Sequence, residues 1–158
     1  MAEGTLEIRS TLFGEGETIP LVAAHSMVGG ENTSPEVSWS AGPTGTRSYA
    51  VTCWDPDAPT TVGFAHWLVF DIPPSVHELA AGGTPPGVSG FTDWGENAWG
   101  GMAPPAGDEP HRYVFTVYAL DTDSLGVDST TTYAKFRFLI RGHVLASGSL
   151  TGRFGVGG

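Results

Sequence analysis

Apolar residues in this chain come in short runs, many alternating with polar ones, and the runs are separated by Gly, Pro, Asn and Asp. A period of two puts alternate side chains on one face of a strand, so this pattern predicts strands rather than helices. Six are expected: "LEIRST" (6–11), "EVSWS" (36–40), "SYAVTCWD" (48–55), "HWLVFDI" (66–72), "RYVFTVYALD" (112–121) and "SGSLTGRFG" (147–155). Residues 112–121 are apolar or aromatic on both faces, which suits a central strand. One helix is predicted at about 130–141, "TTTYAKFRFLIR", stopped by Gly142. There Phe136, Phe138 and Ile140 also alternate as in a strand, whereas Phe136, Leu139 and Ile140 fit one helix face. Many short strands with turn signals between them indicate an all-β sandwich or barrel. The connection "AAGGTPPGVSGFTDWGENAWGGMAPPAGDEP", about 30 residues long, exceeds an ordinary loop, and loops of that length tend to carry function.

At 158 residues the chain fits a single domain, 1–158, with room for an ordinary core. Glycine (23) and proline (12) make up roughly a fifth of it, which implies many turns. A formal charge of −10, with seven scattered Lys and Arg, argues against nucleic acid and against a polybasic membrane anchor. It leaves room for a small local anion pocket. The single cysteine, Cys53, lies in the apolar run "YAVTCW" and is expected to be buried and inert. The stretch "MAEGTLEIRS" lacks a basic segment followed by an apolar one, and no run reaches the roughly 18 apolar residues of a membrane span. The default expectation is a cytoplasmic protein.

Candidate chemistry gathers in "WDPDAPTTVGFAHWLVF", residues 54–70. Asp55 ends one strand and His66 opens the next; an antiparallel hairpin would bring both to one end of a sheet. His111 stands at the mouth of the central strand, with Tyr113 two residues on and on the same face. Spacing therefore permits Asp55, His66, His111 and Tyr113 to meet at one rim. Two histidines and a carboxylate could hold a metal for a hydrolase or oxygenase, but neither His-Glu-x-x-His nor Cys-x-x-Cys is present. Acyl transfer needs a serine on a strand-to-helix elbow, and "GVSG" at 87–90 lacks that setting. The remaining choice is an anion site. There an imidazole donates one N–H to a carboxylate and the other to an oxyanion, with help from the Tyr113 hydroxyl and from loop N–H groups in "GGMAPP".

"DPDAP" followed by a histidine-bearing strand, and then "GGMAPPAGDEPHRYVFTVYALD", resembles the phosphatidylethanolamine-binding protein (Raf kinase inhibitor protein-like) family, in its compact bacterial and archaeal branch. "SPEVSWSAGPTGTRSYAVTCWDPDAPT" and "RGHVLASGSLTGRFG" extend the likeness over about residues 34–155. The resemblance implies a β-sandwich of two antiparallel sheets with one or two short helices. It also implies binding of phosphate-type anions or phospholipid head groups, such as phosphorylethanolamine, with no catalysis and no cofactor or metal. By motif position the pocket would comprise Asp55, Asp57, Pro59, Phe64, His66, Ala103, Pro104, His111 and Tyr113, with a cis Ala58–Pro59 bond. A protein partner with a phosphorylated or acidic segment and a homodimer are both compatible with it. The metal-dependent alternative would use Asp55, His66 and His111.

This chain departs from the pattern in three places. "FAHW" stands where bacterial relatives often have "WWHW", Met102 stands where a small or variable residue is common, and no long helix follows residue 155. Kinase inhibition belongs to particular eukaryotic members and is not carried over. Outside the pocket, Arg112 is expected in a structural ion pair with Asp108 or another loop carboxylate. His25 and His77 are expected to face water, His143 to be structural, and Trp99 to be the loop tryptophan that rims the pocket.

Overall fold

A computed structural model describes residues 3–157. Its strands are β1 (Gly4–Thr5), β2 (Ile8–Arg9), β3 (Val37–Trp39), β4 (Ser48–Asp55), β5 (Phe64–Ile72), β6 (Glu78–Leu79), β7 (Val88–Ser89), β8 (His111–Leu120) and β9 (Val144–Phe154); one helix, α1 (Tyr133–Leu139), precedes β9. The fold is mostly β, as the alternating pattern predicts. Six strands form one sheet in the order β1-β9-β8-β4-β5-β7, and three form another in the order β2-β3-β6. Pairing is antiparallel except where β1 runs parallel to β9, so the larger sheet is mixed rather than wholly antiparallel.

Strands β4, β5 and β8 are apolar on both faces because both faces of the larger sheet are covered. Tyr49, Val51, Trp67 and Val117 join Val37, Trp39 and Leu79 of the smaller sheet in one buried cluster. Ala50, Leu68, Phe70 and Tyr118 form a second cluster with Phe136 and Ile140. The ambiguous segment is thus a helix: Phe136 and Ile140, four apart, face the sheet, and Phe138 stays 70% exposed. Thr132 caps its start by accepting the Lys135 N–H, at 3.3 Å. The helix is shorter than the expected 130–141, since Thr132 already closes its first turn. "LEIRST" contributes only the two residues of β2, and the two-residue strands β6 and β7 carry no legible alternation.

One irregularity positions the site. Cys53 pairs with Trp67, but Trp54 pairs with Ala65, so His66 is an extra residue opposite a single step of β4. A bulge of this kind re-aims a side chain. Strict alternation would send His66 to the face of Leu68 and Phe70. Here both His66 and Trp67 lie against Trp99, with ring centroids 6.2 and 5.5 Å away.

Candidate functional site

Because β4 runs antiparallel to both β5 and β8, the end of β4 meets the starts of both neighbours. Asp55, Phe64, His66, His111 and Tyr113 therefore share one rim, around a cavity of about 230 Å³. Ala58, Pro59 and Thr60 wall it from the β4–β5 connection; Ala103, Pro104 and Pro105 wall it from the long loop. Hydrocarbon and ring faces make up most of the surface, so the few polar groups act in a low local dielectric.

Asp55 is buried beneath this rim. Its Oδ1 accepts the Asp57 N–H at 2.7 Å, and its Oδ2 lies 2.7 Å from His111 Nδ1. On the other side of that ring, Nε2 lies 2.9 Å from Oδ2 of Asp108. A carboxylate oxygen accepts, so the imidazolium, with both nitrogens donating, is the form of His111 that satisfies both contacts. Burial works against that charge, but the hydrogen bonds to Asp108 and Asp55, and the charges behind them, prevail and raise the pKa.

His66 is in the opposite state. Its Nδ1 sits 2.6 Å from the Gly100 carbonyl, which can only accept, so Nδ1 carries hydrogen. Burial holds its pKa below the ordinary imidazole value, although Gly100 and Asp55 pull it upward. The ring is neutral near pH 7, and Nε2, the nitrogen left for a ligand, carries a lone pair. The two imidazoles thus differ: only His111 has the expected carboxylate partner, whereas His66 donates to a carbonyl and leaves an acceptor nitrogen. Tyr113 packs edge-on to His66, with centroids 5.2 Å apart. Burial, followed by the charge of Asp55, pushes its hydroxyl well above the usual range, so it remains a donor.

Several expectations change. Asp57 does not line the cavity; its oxygens accept Arg112 Nη2, Nε and backbone N–H at 2.8, 3.0 and 2.9 Å. Arg112 thus pairs with Asp57 rather than Asp108. The Ala58–Pro59 bond is trans rather than cis, and the turn around Pro59 closes through a short Thr60 N–H to Ala58 carbonyl bond of 2.7 Å. In the "GGMAPP" segment the Gly100 and Gly101 N–H groups are already engaged, by the His66 carbonyl and Asn32 Oδ1. Pro104 and Pro105 have none, and Met102 is buried away from the lining, so Ala103 holds the amide that reaches the cavity wall. Cys53 is buried, and its thiol pKa is raised by burial and then by Asp55.

Trp99 is a core residue, donating to the Ala23 carbonyl at 3.0 Å and stacking on Phe115. Trp94 lines the cavity instead, edge-on to Phe64 at 5.1 Å. His25, expected to face water, stacks on the same indole at 4.4 Å. His77 is exposed, and His143 pairs with Asp121 at 2.7 Å. Among the described residues no group of three His, Cys, Asp or Glu side chains is placed to hold a metal ion. No helix among them is long and apolar enough to cross a membrane.

The family model described as phosphatidylethanolamine-binding protein matches residues 9–155. The chain belongs to that family. Over 158 aligned residues it is 40% identical to the UPF0098 protein YbhB of Escherichia coli K12, covering 94% of this chain and 99% of YbhB. The crystal structure of E. coli YbcL, presented as a new member of the mammalian PEBP family, superposes with a TM-score of 0.91 at 36% identity, covering 97% of this chain and 99% of that one. A PEBP homologue from Chlamydia trachomatis gives a TM-score of 0.85 at 30% identity, over 96% and 98% of the two chains. Two stretches within the matched span, "DPDAP" and "GDEPHRY", have side chains that interlock here. The first supplies Asp55 and Asp57; the second supplies their partners His111 and Arg112.

Proposed function

We propose that the cavity recognises a phosphate-type oxyanion, such as a phosphorylethanolamine head group, and that recognition rather than turnover is its work. The observation that carries this is the buried Asp55–His111 pair, 2.7 Å apart, which sets a fixed positive ring in an apolar wall. Tyr113 adds a hydroxyl donor, and Ala103 adds a backbone N–H group. His66 Nε2 accepts from a protonated phosphate oxygen, or takes up a proton when a dianion binds. Phe64 and Trp94 flank the group that leads out of the cavity.

The hydroxyl groups on the wall favour binding over catalysis. Thr60 donates its Oγ1–H to the Gly63 carbonyl at 2.6 Å, and Tyr113 is held protonated, so neither is an activated nucleophile. Titration with inorganic phosphate and with O-phosphorylethanolamine, followed through histidine ring shifts, tests the proposal. Both ligands should move the His66 and His111 signals, His66→Ala and His111→Ala should weaken binding at temperatures where each variant is still folded, His111→Ala being the less stable, and O-phosphorylethanolamine should be recovered unchanged. Spectra indifferent to both ligands would overturn it.

A further inference from the structure

We propose that Asp108 is an internal competitor for the anion: its carboxylate occupies Nε2 of His111, and a phosphate-type ligand binds by displacing it. The inference rests on the anion reading of the cavity. His111 has two N–H groups and both are taken, by Asp55 at 2.7 Å and by Asp108 at 2.9 Å. A third acceptor can make a linear bond to this ring only if one carboxylate leaves. Asp55 is fixed, since its side chain is 3% exposed and also accepts the Asp57 N–H.

Asp108 is differently placed. It lies in the turn before β8, its side chain is 45% exposed, and its carboxylate has no other hydrogen-bond partner among the described residues. Letting it swing into water leaves no buried charge alone. Charge also favours exchange over addition. One imidazolium already faces two carboxylates, a formal sum of −1, so a phosphate entering beside both would meet net repulsion. The turn "GDEPH" fits a movable arm tethered close to its target. Pro110 restricts the chain just before His111, and Gly107, at φ 87°, supplies the left-handed bend just before Asp108.

The test compares wild-type protein with Asp108→Ala and Asp108→Asn at about pH 6, where His111 keeps its charge through Asp55. The probes are inorganic phosphate, O-phosphorylethanolamine, and phosphatidylcholine vesicles with and without phosphatidylethanolamine. Asp108→Ala should tighten phosphate binding by about tenfold or more, the worth of a freed charge-assisted donor. Asp108→Asn, which keeps an acceptor but no charge, should fall between. Vesicle capture that strengthens in step with phosphate places the head group at His111; a gain for phosphate alone identifies the free anion as the competitor. If wild-type protein binds phosphate and both variants bind it equally or more weakly, Asp108 is a positioning residue and the proposal is wrong. If no probe binds any of the three proteins, the anion reading itself falls, and this inference falls with it.

Discussion

Oδ2 of Asp55 stands 2.7 Å from Nδ1 of His111, with the two side chains 3% and 4% exposed. Neither charge is tolerable at that depth alone. Removing His111 strands Asp55, and removing Asp55 leaves Nδ1 of His111 buried without an acceptor although Asp108 still holds Nε2, at a cost of up to about 3–5 kcal/mol. Asp55→Ala should lower the unfolding free energy by about that amount in urea melts. Asp55→Asn should lower it less, because the amide oxygen still accepts the Asp57 N–H. A change of under about 0.5 kcal/mol, the size of an ordinary surface substitution, would show the pair to be incidental.

The two pocket histidines should give stability opposite dependences on pH. His111 has a folded-state pKa above the usual value of about 6.5, so its contribution is complete below that pH and is lost as pH rises through the folded value. His66 has a lowered pKa, so its contribution is present above about 6.5 and is lost as pH falls through its folded value. Thermal melts of His111→Gln should approach wild type on the alkaline side. Those of His66→Gln should lose the wild type's decline on the acid side. Parallel profiles for the two variants would contradict the assigned ring states.

Ligand binding should carry a proton with it. With Nδ1 bound to the Gly100 carbonyl, His66 presents a bare Nε2, and a phosphate dianion is itself all acceptor. Either the ligand or the ring must gain a proton for them to share a hydrogen bond. Calorimetric titration of O-phosphorylethanolamine near pH 7, in two buffers of different ionisation enthalpy, should show uptake approaching one proton. His66→Gln should abolish most of it. Buffer-independent heats for the wild type would rule out this route.

Much of the site was legible because its residues end strands. Asp55, His66, His111 and Tyr113 lie at strand ends that an antiparallel arrangement can bring together, so spacing permitted their meeting, while the bulge that aims His66 inward was not legible. Their protonation was not legible, since it depends on partners that spacing does not specify: a carbonyl for His66, and a second carboxylate for His111. Asp57 and Asp55 look alike in "DPDAP", and only the exit direction of Arg112 from β8 separates the ion pair from the pocket. Trp94 and Trp99 share one turn-rich loop without periodicity. Which of them reaches the core is decided by the partners of Trp99, the Ala23 carbonyl and Phe115, far away in sequence. The small sheet was hard to read for a related reason, as the two-residue strands β2 and β6 hold a single period of alternation and show no repeat.

The Arg112–Asp57 pair should matter for stability in acid and little for binding. Hydrogen bonding from Arg112, ahead of a small opposing effect of burial, brings the Asp57 pKa down to about 2. A depressed carboxylate contributes stability above its unfolded value, and that stability is lost as pH falls through the folded one. The gap between wild type and Asp57→Asn should therefore be present at neutral pH and close between about pH 4 and pH 2. Since both groups are partly exposed, salt should narrow it as well. Phosphate affinity at neutral pH should stay within about twofold of wild type, for Asp57 does not line the cavity. A much larger loss would return Asp57 to the ligand contacts.

Gly100 should prove irreplaceable, because it clamps His66 and admits Trp94 at once. Its N–H donates to the His66 carbonyl at 3.0 Å, while its own carbonyl accepts from the His66 ring. A Cβ added there would stand 2.0 Å from Cδ1 of Trp94, so the indole or the loop must move. Overpacking of this kind costs about 1–3 kcal/mol. Gly100→Ala is expected to lose stability in that range and to weaken phosphate binding at the same time, as both the cavity wall and the His66 tautomer depend on this backbone. Gly157→Ala serves as the control, since its added Cβ meets nothing within 4 Å. It should match wild type within about 0.5 kcal/mol in stability. Destabilisation of Gly100→Ala with wild-type phosphate affinity would mean that neither Trp94 nor the Gly100 clamp on His66 shapes the bound state.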